Sequence, residues 1–165
     1  MVGRWRSRRT DSNGKHLVLY TDGAIRPDAT GLGVVVRDET RRVLDWRSRR
    51  LPRTMTCNQA EYEAVILGLE MAYTLRPERV EMRSDSQVVV NQMLGLFAVR
   101  NPALRRLHTR ARAAVAALDE VKLVHVRRRR NRLADALASE AADGEWETGG
   151  HGTEEQGSRG DKEIK

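Results

Sequence analysis

The order in which strand-like and helix-like patterns follow one another constrains the fold of this chain more than any other feature of its sequence. Three strand patterns come first and are joined by connections too short for a crossover, which predicts an antiparallel meander. The rest of the chain alternates helix patterns with two further strand patterns, an arrangement that adds parallel strands. The order β-β-β-α-β-α-α-β-α therefore predicts an α/β fold with a mixed five-stranded sheet. It consists of a three-strand antiparallel meander plus two parallel strands, with helices on both faces.

The individual elements follow from apolar spacing and from residues that begin or end helices. The predicted strands are short apolar or alternating segments, at residues 16–20, 31–38, 42–50, 79–83 and 121–126. Apolar residues three or four apart predict the first helix over residues 58–75, and Pro77 ends it. Further helices are predicted at residues 86–93, at residues 102–118 and after position 131. We expect Asn131 to cap the last helix.

The length of 165 residues is typical of a single domain. We expect residues 1–14 to form a disordered basic arm, residues 15–143 the folded domain, and residues 144–165 a flexible tail rich in Gly and Glu. The single cysteine, Cys57, allows no intramolecular disulfide, and no apolar stretch approaches the ~20 residues that a membrane helix needs. These features predict a cytoplasmic protein that does not enter a membrane, and we expect it to be a monomer.

The net charge of +7 and the pI of about 10.3 describe a strongly basic chain. The C-terminal tail holds more acids than bases, so the remainder is more basic still. A basic domain of this kind favours a polyanionic partner, above all nucleic acid. On charge alone, an ordinary solvated basic surface explains the composition equally well.

Carboxylates stand at four places where the predicted fold brings element ends together. Asp22 ends the first strand, Asp85 ends the fourth, and Glu61 and Asp135 lie in the first turns of two helices. Each alone has a structural explanation, as a turn residue, a cap or an acid favoured by the helix dipole. If the first and fourth strands are parallel neighbours, however, the four acids converge at one edge of the sheet. Such a group requires raised pKa values or bound cations, and hard divalent ions prefer oxygen ligands.

Four segments of the chain resemble the type 1 ribonuclease H family, especially its bacterial and archaeal branch, and they occur in that family's order. The segments are Thr21-Asp22-Gly23-Ala24, residues 56–64, Ser84-Asp85-Ser86-Gln87 with Val90-Asn91-Gln92, and residues 131–138. The resemblance implies the ribonuclease H fold and a metal-dependent endonuclease that cuts the RNA strand of an RNA–DNA hybrid. It also implies a two-metal-ion mechanism that leaves 3′-hydroxyl and 5′-phosphate ends.

The resemblance also assigns roles to residues. The catalytic and metal-binding residues it implies are Asp22, Glu61, Asp85 and Asp135, with two Mg²⁺ ions, or Mn²⁺, as the cofactors. The nucleic-acid contacts that we expect on this basis are Gly23, Thr56, Asn58, Gln59, Ser86, Asn91 and Arg128. Glu61 is further expected near an RNA 2′-hydroxyl, the group that distinguishes RNA from DNA.

Some residues depart from the family pattern. The loop before Asp135 lacks the histidine found in many members and carries four arginines at 127–130, which we expect to hold phosphate or balance the acids. We interpret His125, which lies earlier, as structural. Cys57 stands where Asn is frequent, and Arg53 is adjacent to the place of a phosphate-binding Arg. Residues 94–102 do not form the basic protrusion with which some members grip the hybrid.

Two alternative functions remain open at this point. The first is a domain of the same fold that binds hybrid or double-stranded RNA without cutting it. Retention of all four acids opposes this alternative, because negative charge near phosphates does not help binding. The second is a nuclease of the same fold that acts on double-stranded RNA or structured DNA.

Overall fold

A computed structural model describes residues 15–144 and 148–151 of the chain, with side chains described for residues 15–144. The strands are β1 (His16–Ile25), β2 (Thr30–Arg37), β3 (Val43–Leu51), β4 (Arg79–Ser84), β5 (Val121–His125) and β6 (Thr148–His151). The helices are α1 (Cys57–Thr74), α2 (Gln87–Met93), α3 (Pro102–Ala116) and α4 (Arg132–Asp143). A 3-10 turn at Arg128–Arg130, here called the arginine turn, precedes α4.

The strands form one sheet in the order β5-β4-β1-β2-β3-β6. The pairs β1–β2 and β2–β3 are antiparallel, whereas β1–β4 and β4–β5 are parallel. This arrangement confirms the predicted mixed sheet of a three-strand meander plus two parallel strands.

Two features of the sheet differ from the sequence-based expectation. Strand β1 does not end at Asp22, because pairing with β2 continues to the pair Ile25 and Thr30. A sixth strand, β6, pairs antiparallel with β3 inside the segment that we expected to be a flexible tail. The basic arm at residues 1–14 and the other residues beyond position 144 lie outside the described residues, so those boundaries stay predictions.

The main core lies between the sheet and α1. Alternate residues of the central strands point to this side and are buried, among them Leu17, Leu19, Val34, Val36, Val80 and Met82. Tyr62 and Leu69 of α1 pack against them, and α3 covers α1 from outside. Burying a side chain of this kind contributes roughly 1.5–3 kcal/mol, so aliphatic packing can hold a fold with few aromatic residues.

Helix α4 lies on the opposite face of the sheet, directly over β2. Gly31 and Gly33 of β2 make this close approach possible, since a Cβ at either position would collide with the backbone of Ala138 or Ala134 in α4. Two side chains of β3 bind the helix backbone: Ser48 Oγ donates to Leu137 O at 2.7 Å, and Arg50 Nη1 donates to Ala142 O at 2.6 Å. The sheet therefore fixes the position of α4, and with it Asp135.

We predict that Gly33→Ala destabilises the protein by roughly 3 kcal/mol, because the added methyl group must push α4 away from β2. Thermal or urea denaturation measures the loss. Gly95→Ala is the control: no atom lies within 4 Å of the place that its methyl group would take, and only its φ of 77° opposes the substitution. We expect a loss of about 1 kcal/mol there. Equal losses at both positions would contradict the close packing described for α4.

Candidate active site

The parallel pairing of β1 with β4 brings the first two carboxylates together. Thr21 of β1 is in register with Ser84 of β4, and the next residues of the two segments are Asp22 and Asp85. Asp22 is 5% exposed, so its side chain is buried. The convergence predicted from the sequence is present at the carboxyl end of these strands.

The other two carboxylates arrive from helices on opposite faces of the sheet. Helix α1 begins with a capping box in which Gln59 N donates to Thr56 Oγ1 at 3.3 Å and Thr56 N donates to Gln59 Oε1 at 2.9 Å. Glu61 lies just beyond the first turn of α1, which contains no acid, so its placement within that turn was wrong by a small margin. Asp135 lies in the first turn of α4, as predicted.

The four carboxylates line one cleft of about 430 Å³. Oxygen atoms of Asp22, Glu61 and Asp85 all lie within 4.8 Å of one another. Asp135 lines the same cleft, and its charge raises the pKa of Asp22. At the rim, Arg128 Nη2 is 3.8 Å from Asp135 Oδ1.

The electrostatics of the cleft oppose ionisation of the acids. Burial raises the pKa of Asp22 to about 7 and the pKa of Glu61 to about 10. Hydrogen bonding between the two groups lowers the pKa of Asp22 and raises that of Glu61, and the charge of Asp85 raises both. Burial also raises the pKa of Asp85, although the nearby side chain of Asn131 and the charge of Arg128 oppose this effect. Burial and mutual repulsion therefore both favour the protonated forms of these carboxyl groups when no cation is bound.

The donor atoms suit a hard divalent cation. All the groups offered by the cluster are carboxylate oxygens, the ligand type that Mg²⁺ and Mn²⁺ prefer. Glu61 Oε2 is buried and has no hydrogen-bond partner among the described residues. A buried acceptor of this kind is costly unless something binds it, and a cation between Asp22, Glu61 and Asp85 would do so.

Comparison with known proteins agrees with this geometry. Residues 20–141 match the family described as reverse transcriptase-like, and a curated relative, ribonuclease HI of Halobacterium salinarum, is 37% identical over 79% of this chain and 66% of its own length. The chain belongs to the ribonuclease H family. It spans about two thirds of the Halobacterium ribonuclease and 35% of a bifunctional protein of Mycobacterium tuberculosis to which it is 33% identical.

Solved ribonuclease H structures share the fold. The enzyme of Halobacterium salinarum superposes with a TM-score of 0.74 at 36% identity, covering 78% of this chain and 98% of that one. The N-terminal ribonuclease H domain of the Mycobacterium tuberculosis protein gives 0.74 at 33% identity, covering 78% and 94%. The compost-derived LC11 ribonuclease H1, solved in complex with an RNA/DNA hybrid, gives 0.72 at 34% identity, covering 77% and 96%.

The nucleic-acid contacts implied by the ribonuclease H resemblance fall into two groups. Gly23 and Arg128 line the carboxylate cleft itself. Thr56 and Gln59 form the capping box of α1, and Ser86 Oγ accepts from Val89 N at 3.3 Å as the cap of α2. Half-buried asparagines complete the set, Asn58 in the first turn of α1 and Asn91 within α2. Their contacts with substrate stay predictions, and three of the side chains have structural roles as well.

Gly23 has a structural reason that the sequence alone did not indicate. A Cβ at this position would lie 2.6 Å from the backbone carbon of Ala60 in α1. The glycine therefore allows α1 to approach β1 closely, and this approach brings Glu61 next to Asp22.

Asn131 has a different role from the predicted one. Its side chain makes no cap for α4; instead its Nδ2 donates to Thr21 O at 2.8 Å, and its proximity to Asp85 lowers the pKa of that carboxyl, against the effect of burial. It is 1% exposed. Asn131 therefore links β1 with the arginine turn beside a carboxylate of the cleft, a positioning role that required the tertiary structure to be seen.

Two further side chains bear on the departures from the ribonuclease H pattern. His125 ends β5, and its Nε2 lies 3.2 Å from the backbone oxygen of Asp85. Arg53, next to the expected phosphate-binding position, has its Nη2 3.9 Å from Glu63 Oε1.

No helix among residues 15–144 is long and apolar enough to cross a membrane.

We predict that the metal-free protein loses stability as the pH rises above the ordinary carboxyl range of about 4 to 5. Burial raises the pKa of Asp22 and Glu61, so the folded state holds protons that the unfolded state has released, and its advantage falls with pH. Glu61→Gln should reduce this dependence. Urea denaturation in chelator at about pH 5 and about pH 8 measures it.

Glu70→Gln is the matched control, because Glu70 is an exposed glutamate of the same helix. It should keep the wild-type pH dependence, and Mn²⁺ should restore stability at the higher pH in the wild type and in Glu70→Gln. An unchanged pH dependence in Glu61→Gln would show that the buried pair does not control it.

Proposed function

We propose that this protein is a metal-dependent endonuclease that hydrolyses the RNA strand of RNA–DNA hybrids and leaves 3′-hydroxyl and 5′-phosphate ends. The observation that carries the proposal is the convergence of Asp22, Glu61 and Asp85 within 4.8 Å, with Asp135 lining the same cleft. The ribonuclease H fold and the hybrid-bound LC11 relative support the choice of substrate.

Asp22, Glu61, Asp85 and Asp135 would hold a pair of divalent cations, Mg²⁺ or Mn²⁺. When bound, such ions supply an activated water nucleophile and neutralise charge on the leaving oxygen. The carboxylates would hold this centre from both faces of the sheet, and Asn131 lies beside Asp85 and lowers the pKa of its carboxyl. Helix α4 holds Asp135 against the sheet.

The positive charges around the cleft compensate for its acids. Arg128 lies at the rim beside Asp135, where its guanidinium can bind a phosphate that the acids alone would repel. Glu61 reaches the cleft from α1, where it would accept a hydrogen bond from an RNA 2′-hydroxyl, a group that DNA lacks. Discrimination between RNA and DNA would then come from the side of the cleft that α1 forms.

The cleft is complete within one chain, because all four acids come from a single copy. We infer that the domain acts as a monomer on nucleic acid in the cytoplasm. Double-stranded RNA is a second substrate to be compared, since it offers the same 2′-hydroxyls on the strand to be cut.

The decisive experiment is cleavage of a labelled hybrid, an RNA duplex and a DNA duplex with Mg²⁺ or Mn²⁺. We expect cleavage of the RNA strand of the hybrid, none without metal, and none of DNA. Asp85→Asn should reduce turnover at least about 100-fold while the fold is kept, because it removes a ligand and little volume.

Asp119→Asn is the control for this substitution, since Asp119 is exposed and lies outside the carboxylate cleft. It should cut at the wild-type rate. A hybrid that remains intact with both metals, or an Asp85→Asn variant that retains full activity, would overturn the proposal. Tight hybrid binding without cleavage would instead favour the non-catalytic alternative.

A further inference from the structure

A basic cavity, separate from the acidic carboxylate cleft, opens on the face of the sheet that carries α4. Its volume is about 510 Å³. We call it the arginine pocket, because six of its lining residues are arginines. The lining residues are Tyr20, Val35, Arg37, Arg41, Arg83, Arg129, Arg130, Asn131, Arg132, Leu133 and Ala134. They combine strand, hairpin and helix residues from separate parts of the chain.

Most of the charge in the arginine pocket is not neutralised. Arg83 is paired with Glu81, at 2.7 Å, and its Nη1 donates to Tyr20 Oη at 2.6 Å. The other arginines of the pocket have no ion pair with any residue in the described part of the chain, and no acid from that part lines the pocket. Collecting like charges in a concave surface is unfavourable unless an anion binds there.

The pocket is close to the carboxylate cleft. Tyr20 and Asp22 point to the same side of β1 and are two residues apart, which is about 7 Å along a strand. The arginine turn separates the cavities: Arg128 lines the cleft, and Arg129 and Arg130 line the pocket. A separation of this order is within reach of the next nucleotides of a strand that is held at the carboxylates.

The shape of this path selects the kind of strand. A strand that continues from the cleft into the pocket must follow the protein surface past the arginine turn, whose residues line both cavities. A duplex resists bending over lengths of about 150 base pairs, whereas a single strand turns easily. Phosphates of a flexible strand are therefore the anions best suited to occupy the pocket.

We propose that the arginine pocket binds phosphates of a single-stranded extension that continues from the nucleic acid held in the carboxylate cleft. The proposal rests on the function proposed above, and it names a second contact surface for the same substrate. The pocket would favour hybrids with unpaired ends over blunt ones.

The test compares one hybrid duplex, blunt or with a single-stranded extension on either end of either strand. We expect an extension at one of these ends to lower KM roughly 3- to 10-fold in the wild type, with kcat unchanged. Arg37→Gln/Arg41→Gln should remove this advantage and leave kcat on the blunt hybrid near its wild-type value. In this variant, the slope of log KM against log salt concentration should decrease by about 0.7 for each phosphate contact that is lost.

Two matched controls separate the pocket from general charge. Lys15→Gln/Arg76→Gln removes two exposed charges that lie outside both cavities and should keep the advantage of the extension. Arg41→Gln and Arg76→Gln are single-site counterparts, because both arginines are exposed and have positive φ, 70° and 49°. Circular dichroism and thermal melting would verify that each variant is folded.

The outcomes distinguish this proposal from the one on which it rests. If blunt hybrid is cut but no extension lowers KM, or if the control pair loses the advantage equally, the pocket is not a strand-binding site. If no hybrid is cut, the proposed function fails. Fluorescence anisotropy with the same labelled hybrids in chelator then still decides whether Arg37 and Arg41 bind the extension.

Discussion

The parallel pairing of β1 with β4 is the constraint on which the site depends. It places Asp22 beside Asp85 at the carboxyl end of two adjacent strands, and the helices on the two faces then add Glu61 and Asp135. The resulting group of acids is locally unfavourable, because burial and mutual repulsion oppose ionisation. The aliphatic core between the sheet and α1 offsets this cost. It fixes the backbone and so keeps the acids together, whereas in a flexible chain their repulsion would move them apart.

The element order and the four carboxylates could be predicted because each depends on local signals: apolar spacing, helix-ending Pro77, and acids at element ends. The extension of β1 to Ile25 could not, since it depends on the partner strand β2. Strand β6 is short and contains Gly149 and Gly150, so its composition gives no strand signal, and its pairing with β3 decides its conformation. The role of Asn131 was likewise hidden, because the atoms that it binds are distant in sequence.

Several residues near the site combine a structural role with the expected substrate contact. Thr56 and Gln59 begin α1, and Gly23 allows that helix to approach β1. These roles are compatible with binding, because a hydroxyl that accepts one hydrogen bond can still donate another. The same residues that fix the position of Glu61 would then also be the nearest groups to a bound strand. Local folding requirements and the proposed substrate recognition would thus select the same residue types at the beginning of α1.

The uneven placement of charge meets two requirements that would conflict if the charges were spread evenly over the protein. Holding divalent cations requires a concentrated group of acids, whereas attracting a polyanion requires positive potential. The chain meets the first requirement inside the cleft and the second on its rim, where Arg128 faces Asp135 and the following arginines turn to the other side of the same loop. One short turn directs arginine side chains into both cavities. A bound strand that passes over this turn would therefore meet positive charge along its whole path. If the proposals hold, the position of the arginine turn between the two cavities, rather than the total charge of +7, would determine where a nucleic acid is held.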